Sequence, residues 1–537
     1  MRKLLSLAAL VAVLFAAGCK KSSTPDVVLP SAPTIVSFTP TTGSVGTTVT
    51  ITGTNLTGAT SVTFGGVAAA SFTVVSATSI TAVVGAGAAG AVAVTTPGGI
   101  ASLAGFNLIA APGTRFDVRN VISASTTWKK DYIYRIRGYV YVENGVTLTI
   151  EPGTKIVSNK DSAGVLVITR GAKMIADGTS ANPIVFTSAE ATPVSGDFGG
   201  VIVAGAAPYN GNHIKIEGGV DSKYEVFGGT NSTDNSGIIR YVRIEYAGKA
   251  VNPGDEVNGL SLYGVGSGTT IDYVEVLRGY DDAFEIFGGT VNCKHLIAYN
   301  SADDDFDFDD GYVGKIQFAI SIKDPAFTDP KGTTGDISNN FEVDNVNPAN
   351  GFLLTRTPIT FPVMSNFTAI GPNSSTNPDY GVGMRWRRGS KFILANSVVV
   401  GGQKGGMRID DDSTIAYFHR GTSAFYNSYL NNFGGKYVLV PAATTIAGGT
   451  VVDSSAIATR LDQTYFTKQV LDVATLMMGA PFNNAAPNLR PTAGSPLLTG
   501  AKFDFGTLTD AFFEKVTYVG AFDATNDWTA GWAVFNR

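Results

Sequence analysis

Residues 258–276 read NGLSLYGVGSGTTIDYVEV, and residues 281–311 read DDAFEIFGGTVNCKHLIAYNSADDDFDFDDG. Both stretches hold short runs in which apolar and polar residues alternate, the mark of a strand with one buried face. The runs also recur. NGLSLYG at Asn258, DAFEIFG at Asp282 and DDFDFDD at Asp304 start 24 and 22 residues apart. NNFEVDN at Asn339, YGVGMRW at Tyr380 and KGGMRID at Lys404 extend the series, the last two again 24 apart. A second apolar strand follows each: TIDYVEVL from Thr270, CKHLIAY from Cys293, KIQFAISI from Lys315, KFILANSVVV from Lys391. A repeat of this size is one coil of a solenoid, and antiparallel sandwiches predict no such period. The wider spacing around Asn339 marks inserted loops, among them PAFTDPKGTTGD.

The repeat fixes which side chains stack. Leu260, Phe284, Phe306, Phe341, Met384 and Met407 form one inward ladder. Leu262, Ile286, Phe308, Val343, Trp386 and Ile409 form a second, two residues further on. Successive strand residues point to opposite sides, so the residues between the ladders point outward: Glu285, Asp307, Glu342, Arg385 and Arg408. Each buried apolar side chain contributes about 1.5–3 kcal/mol, enough to hold a solenoid without disulfides.

Working outward, residues 32–111 form a separate module. SFTPTTGSVGTTVTITGTNL, VTFGG and AGAVAVTTPGG are short alternating strands between Gly and Thr turns, which suggests a sandwich. This segment resembles the IPT/TIG family of immunoglobulin-like domains, in which such a module is a spacer, a dimerising unit or a binding unit; the spacer is the plainer expectation. Residues 112–537 resemble a family of Gram-negative envelope proteins with right-handed parallel β-helices. The resemblance is carried by GVTLTIEPGT, IIRYVRIEYAG, the two opening stretches and the terminal DWTAGW, and the domain is expected to have a C-terminal cap. The expected fold is thus all-β, an immunoglobulin-like sandwich followed by a right-handed parallel β-helix. The resemblance implies a place in the envelope and no settled activity.

The N-terminus points the same way. Arg2 and Lys3 precede an apolar run from Leu4 to Phe15, too short for a spanning helix of about 20 residues. Ala16, Ala17 and Gly18 lead into Cys19, resembling a lipobox with Ala16 where Leu is more usual. The reading is a lipoprotein signal peptide over 1–18, lipid on Cys19, and a Lys/Ser/Thr/Pro tether over 19–31. A plain signal peptide with a chance cysteine is the alternative. The resemblance implies several acyl chains, which stable anchoring requires. Lys20 is not the aspartate that retains lipoproteins at the inner membrane, so the expectation is the outer membrane, at the cell surface or on the periplasmic face.

Composition narrows the function. The 39 basic and 44 acidic residues leave a net charge of −5, which offers no basic face for nucleic acid. With Cys19 lipidated, Cys293 has no partner, so neither a disulfide framework nor a cysteine zinc site is possible.

Three chemistries compete for the outward face. The first is a Ca²⁺ site on Asp305, Asp307, Asp309, Glu285 and Glu342. Carboxylates on strands about 4.8 Å apart repel, and a hard cation with oxygen ligands relieves this; a solvated acidic turn is the alternative. The second is catalysis. Arg385 and Arg408, candidates for binding a ligand, share a column with the carboxylates, as in β-helix enzymes that cut acidic polysaccharides. No lyase or hydrolase signature accompanies them, and His213, His295 and His419 are isolated in sequence. The third is sugar stacking on Tyr263, Phe287 and Tyr312, with Trp386 turned inward. The combined reading is a non-catalytic envelope lipoprotein for adhesion or glycan binding, with a Ca²⁺-dependent polysaccharide lyase or glycoside hydrolase as the competing class. Its partners would be a membrane, through the lipid, and a polysaccharide or surface protein.

Overall fold

A computed structural model describes residues 30–86, 89–252, 255–328 and 337–535. The signal peptide, Cys19 and most of the tether fall outside the described residues. The chain divides into two compact units, meeting in sequence at Ala111 and Pro112.

The first unit is an immunoglobulin-like sandwich. One sheet orders Thr34–Thr39, Thr48–Thr54, Ser79–Val83 and Ser71–Ser76, all antiparallel. The other is built on Gly90–Thr96 between Gly99–Leu108 and Ser61–Phe64. Alternation puts Val49, Ile51, Phe64, Ile80, Val92, Val94 and Phe106 between the sheets, all buried.

The second unit is a parallel β-helix. A single sheet of 26 strands winds through it, and every strand pairing within it is parallel. Both ladders form in the expected register: Leu260 pairs with Phe284, Phe284 with Phe306, Phe306 with Phe341, Phe341 with Met384, and Met384 with Met407. All twelve ladder side chains are buried. Phe306 lies between Phe284 and Phe341, its ring centroid 5.3 and 5.6 Å from theirs.

The other wall is bent. Gly237–Glu245, Thr270–Leu277, Asn292–Tyr299, Lys315–Ile322 and Val363–Ile370 each carry one non-glycine residue at positive φ: Tyr241, Tyr273, His295, Phe318 and Asn366. Left-handed backbone is costly for bulky residues. Here it recurs at one position of each coil and folds the strand around a corner. The strain is offset by stacking: Tyr241 on Tyr273 at 4.3 Å, Tyr273 on His295 at 4.1 Å, and His295 on Phe318 at 5.2 Å.

The C-terminal residues do not cap the stack. They run back along its side. Gly520 donates to the Asn396 carbonyl, Gln317 to that of Glu514, and Arg243 to that of Trp532. The cause is the outward side of the bent wall, where Leu277, Ile297, Ile320, Ile370 and Val398 are apolar. This strap, with Trp528 and Trp532 from DWTAGW, removes that surface from water. A second cover was not foreseen. Residues 205–236 leave the coil between Phe198–Ala204 and Gly237–Glu245, and Ile216, Val220 and Phe227 pack on the outward rings of Tyr263 and Phe287.

Candidate functional site

The strands Leu260–Tyr263, Phe284–Phe287, Phe306–Asp309, Phe341–Val343, Val382–Trp386 and Gly405–Ile409 present one outward column: Ser261, Glu285, Asp307, Glu342, Arg385 and Arg408. The column is as the repeat implied, but its surroundings divide the acidic residues into four groups.

Glu285 and Asp307 come together, joined by Asp282 from the turn before Glu285; their carboxylate oxygens lie within 4.8 Å of one another. Asp282 also belongs to a second triad with Asp281 and Asp303. Asn258 donates an amide hydrogen to Glu285 and another to Ser261 Oγ. Burial, then Glu217, Asp282 and Asp307, push the Glu285 carboxyl well above the usual carboxylate range. Burial, then Asp282 and Glu342, do the same to Asp307. Asp307 Oδ1 and Asn258 Oδ1 are enclosed acceptors without a hydrogen-bond donor in the protein.

Asp305 lies apart from that cluster. Its fully buried carboxylate pairs with Lys323 Nζ at 3.1 Å and accepts from Ser321. Burial raises its pKa and Lys323 opposes, leaving it at about 6. Asp309 joins Asp310 and His213. His213 Nδ1 is 3.0 Å from Asp310 and its Nε2 is 3.2 Å from Glu217, so this histidine is not isolated. Burial works against charge on its ring, yet the hydrogen bonds to Asp310 and Glu217 prevail and raise its pKa to about 11. Glu342 sits beneath Arg385 and Arg387. Arg385 and Arg408 both grip Asp410, and Arg387 and Arg388 both grip Asp344. Each of these arginines is therefore already matched to a carboxylate.

The rings proposed for sugar stacking are all covered. Tyr263 and Phe287 stack on each other at 4.1 Å beneath Phe227 and His213. Tyr312 lies inside the coil and donates to the Val291 carbonyl at 2.9 Å. Trp386 lies inside as expected, its centroid 3.6 Å from Phe392. Alternation gave the outward direction of Tyr263 and Phe287 correctly. It could not show that the 205–236 insertion lies over them.

Asp282, Glu285 and Asp307 can hold a proton in common or a divalent cation. Several oxygens converging from different coils suit Ca²⁺, which takes six to eight at about 2.3–2.6 Å. Asp282 and Glu217 were missed in the sequence. Asp282 stands one residue before an inward position, at the turn. Glu217 is brought by an insertion that has no counterpart in the repeat.

A parallel solenoid carrying a column of charged side chains on one wall is the class of protein this defines. The chain belongs to the pectate-lyase like beta helix domain family, whose model matches residues 120–481, and residues 33–102 match the IPT/TIG domain model. No curated protein matches. Among solved structures, SGBP-B from a complex xyloglucan utilization locus in Bacteroides uniformis is 30% identical over 14% of this chain, with a TM-score of 0.14. The match spans 23% of that protein. Pectate lyase Pel9A is 13% identical, with 77% of this chain and 97% of that one covered, at a TM-score of 0.28.

Proposed function

We propose that this chain is a lipid-anchored envelope protein that binds an acidic glycan in a groove along this column, through a divalent cation, and does not cleave it. The observation that carries the reading is the convergence of Asp282, Glu285 and Asp307, where burial first and then the neighbouring carboxylates hold the carboxyls of Glu285 and Asp307 well above their ordinary range. A cation relieves the repulsion among these carboxylates, and its remaining coordination positions accept oxygens from a ligand. The family match supports the β-helix that carries this wall. Fold alone assigns no chemistry.

Eliminative cleavage needs a base beside the cation to take a proton from the sugar ring. Arg385 and Arg408, the cations of this column, and Arg387 beside them are each paired with a carboxylate. That favours binding over turnover. The N-terminal lipobox, with its Cys19, supports display from the outer membrane, with the IPT/TIG module as a spacer.

Affinity electrophoresis in gels containing acidic polysaccharide tests this. Retardation is expected with Ca²⁺, and it should vanish with chelator or in Asp282→Asn and Glu285→Gln. Absence of retardation refutes the groove. Release of unsaturated or reducing ends would replace the binding reading with lyase or hydrolase activity.

A further inference from the structure

A cavity of about 540 Å³ lies away from the groove, against the last coils. It is lined by Asn373, Asn432, Phe433, Leu471, Asp472 and Phe482, among others. Its volume falls within the roughly 300–1,000 Å³ of small-ligand sites.

The walls are fixed in place. Asn431 donates to the Val470 carbonyl at 2.8 Å and so holds the 470–482 segment against the coil. Phe482 is seated on Gly401: a Cβ there would lie 2.9 Å from its ring, and Gly401 sits at a φ of +80°, which glycine alone adopts freely. Asp472 Oδ1 caps the short turn Val473–Leu476, leaving the carboxylate a second oxygen.

Two observations point to a ligand. Large apolar side chains are exposed at the rim, with Phe433 48% exposed, Phe482 37% and Leu471 88%. Asn432 is only 6% exposed, yet neither its Oδ1 nor its Nδ2 has a hydrogen-bond partner in the protein. A buried amide with both ends unsatisfied is costly and requires an explanation. Asn432 is itself among the residues that line the cavity.

We infer that this cavity is a second glycan site, for a neutral saccharide. A sugar presents an apolar C–H face, which suits the exposed phenyl rings, and a hydroxyl edge. A pair of neighbouring hydroxyls matches an amide that donates from one atom and accepts at the other. An apolar protein partner would cover the rings and leave the Asn432 amide unsatisfied. With Asp472 among its lining residues and neither Lys nor Arg, the cavity disfavours an anionic sugar. The inference stands on these residues and is independent of the groove.

The test uses the full chain in detergent micelles, with chelator present to silence any cation-dependent site. The probes are an array of neutral gluco-, galacto-, manno- and xylo-oligosaccharides. At least one should bind, and Phe433→Ala and Phe482→Ala should each weaken it about tenfold. Both residues are exposed, so an unchanged melting curve will show that the fold is intact. Asn432→Leu should abolish the same binding, and Asp282→Asn in the groove should leave it unchanged. The inference is overturned if no neutral probe binds, or if the two phenylalanine variants bind like the parent.

Discussion

Replacing Phe306 by Ala takes the central rung out of the inward ladder. The ring is fully buried. It stacks on Phe284 at 5.3 Å and 7° and on Phe341 at 5.6 Å and 24°, with Phe367 edge-on at 5.5 Å. Phe→Ala in a core costs about 3–5 kcal/mol. Aromatic pairs add about 0.5–1.5 kcal/mol each, so three ring contacts place this substitution at the upper end of that range. Asp307→Asn, one residue away and on the outer side, should behave oppositely. The folded state raises the Asp307 pKa above its ordinary 3.8. Its cost is therefore absent below that pH and grows as pH rises toward the folded value. In cation-free buffer the Asn variant should match or exceed the parent's stability, by up to about 1 kcal/mol, with the gain increasing from acid to neutral pH. Urea denaturation followed by circular dichroism and fluorescence measures both, taking the first transition because solenoids need not unfold in one step. If Asp307→Asn proves as damaging as Phe306→Ala, the register is displaced by one residue and the ladders are wrong.

Other outcomes follow from single contacts. Ca²⁺ at about one hundred times its dissociation constant should stabilise the chain by about 2.7 kcal/mol, and Asp282→Asn should remove that gain in a melting experiment. Arg243→Gln should cost about 3–5 kcal/mol, because Arg243 bonds Glu245 at 2.9 Å and the Trp532 carbonyl, and Glu245 and Glu275 beside it are fully buried. The raised pKa of His213, about 11, gives stability that is fully present below its ordinary 6.5 and lost as pH rises through the folded value. His213→Gln should therefore destabilise most below its ordinary pKa of 6.5 and least in strong alkali, as melting temperatures across pH will show. Cys19→Ser should abolish palmitate labelling and detergent-phase partitioning; continued labelling contradicts the anchor.

Which parts of this were legible in the sequence follows from the range of the contacts. The ladders were readable because alternation and a 22–24-residue period are local signals, and each rung repeats the same solution. The covers were not. Arg243 meets Trp532 across 289 positions and Asn210 meets Asn345 across 135, distances at which no periodicity operates. The acidic run shows the same limit. Alternation put Asp307 on the outer side, but Asp305 turns to Lys323 and Asp309 to Asp310 and His213. Six acidic residues in eight positions, 303–310, therefore serve separate sites, and only Asp307 joins Glu285 in the triad. The bend at Tyr241, Tyr273 and His295 was equally hidden, since nothing in a tyrosine or histidine announces positive φ.

The most direct test of the groove is a calorimetric titration of acidic oligosaccharide into the full chain at saturating Ca²⁺, with the mixture assayed afterwards for cleaved ends. The account predicts saturable heat that disappears in Asp307→Asn and with chelator, and an oligosaccharide recovered intact. Heat that persists in Asp307→Asn, or recovery of unsaturated fragments, would contradict it.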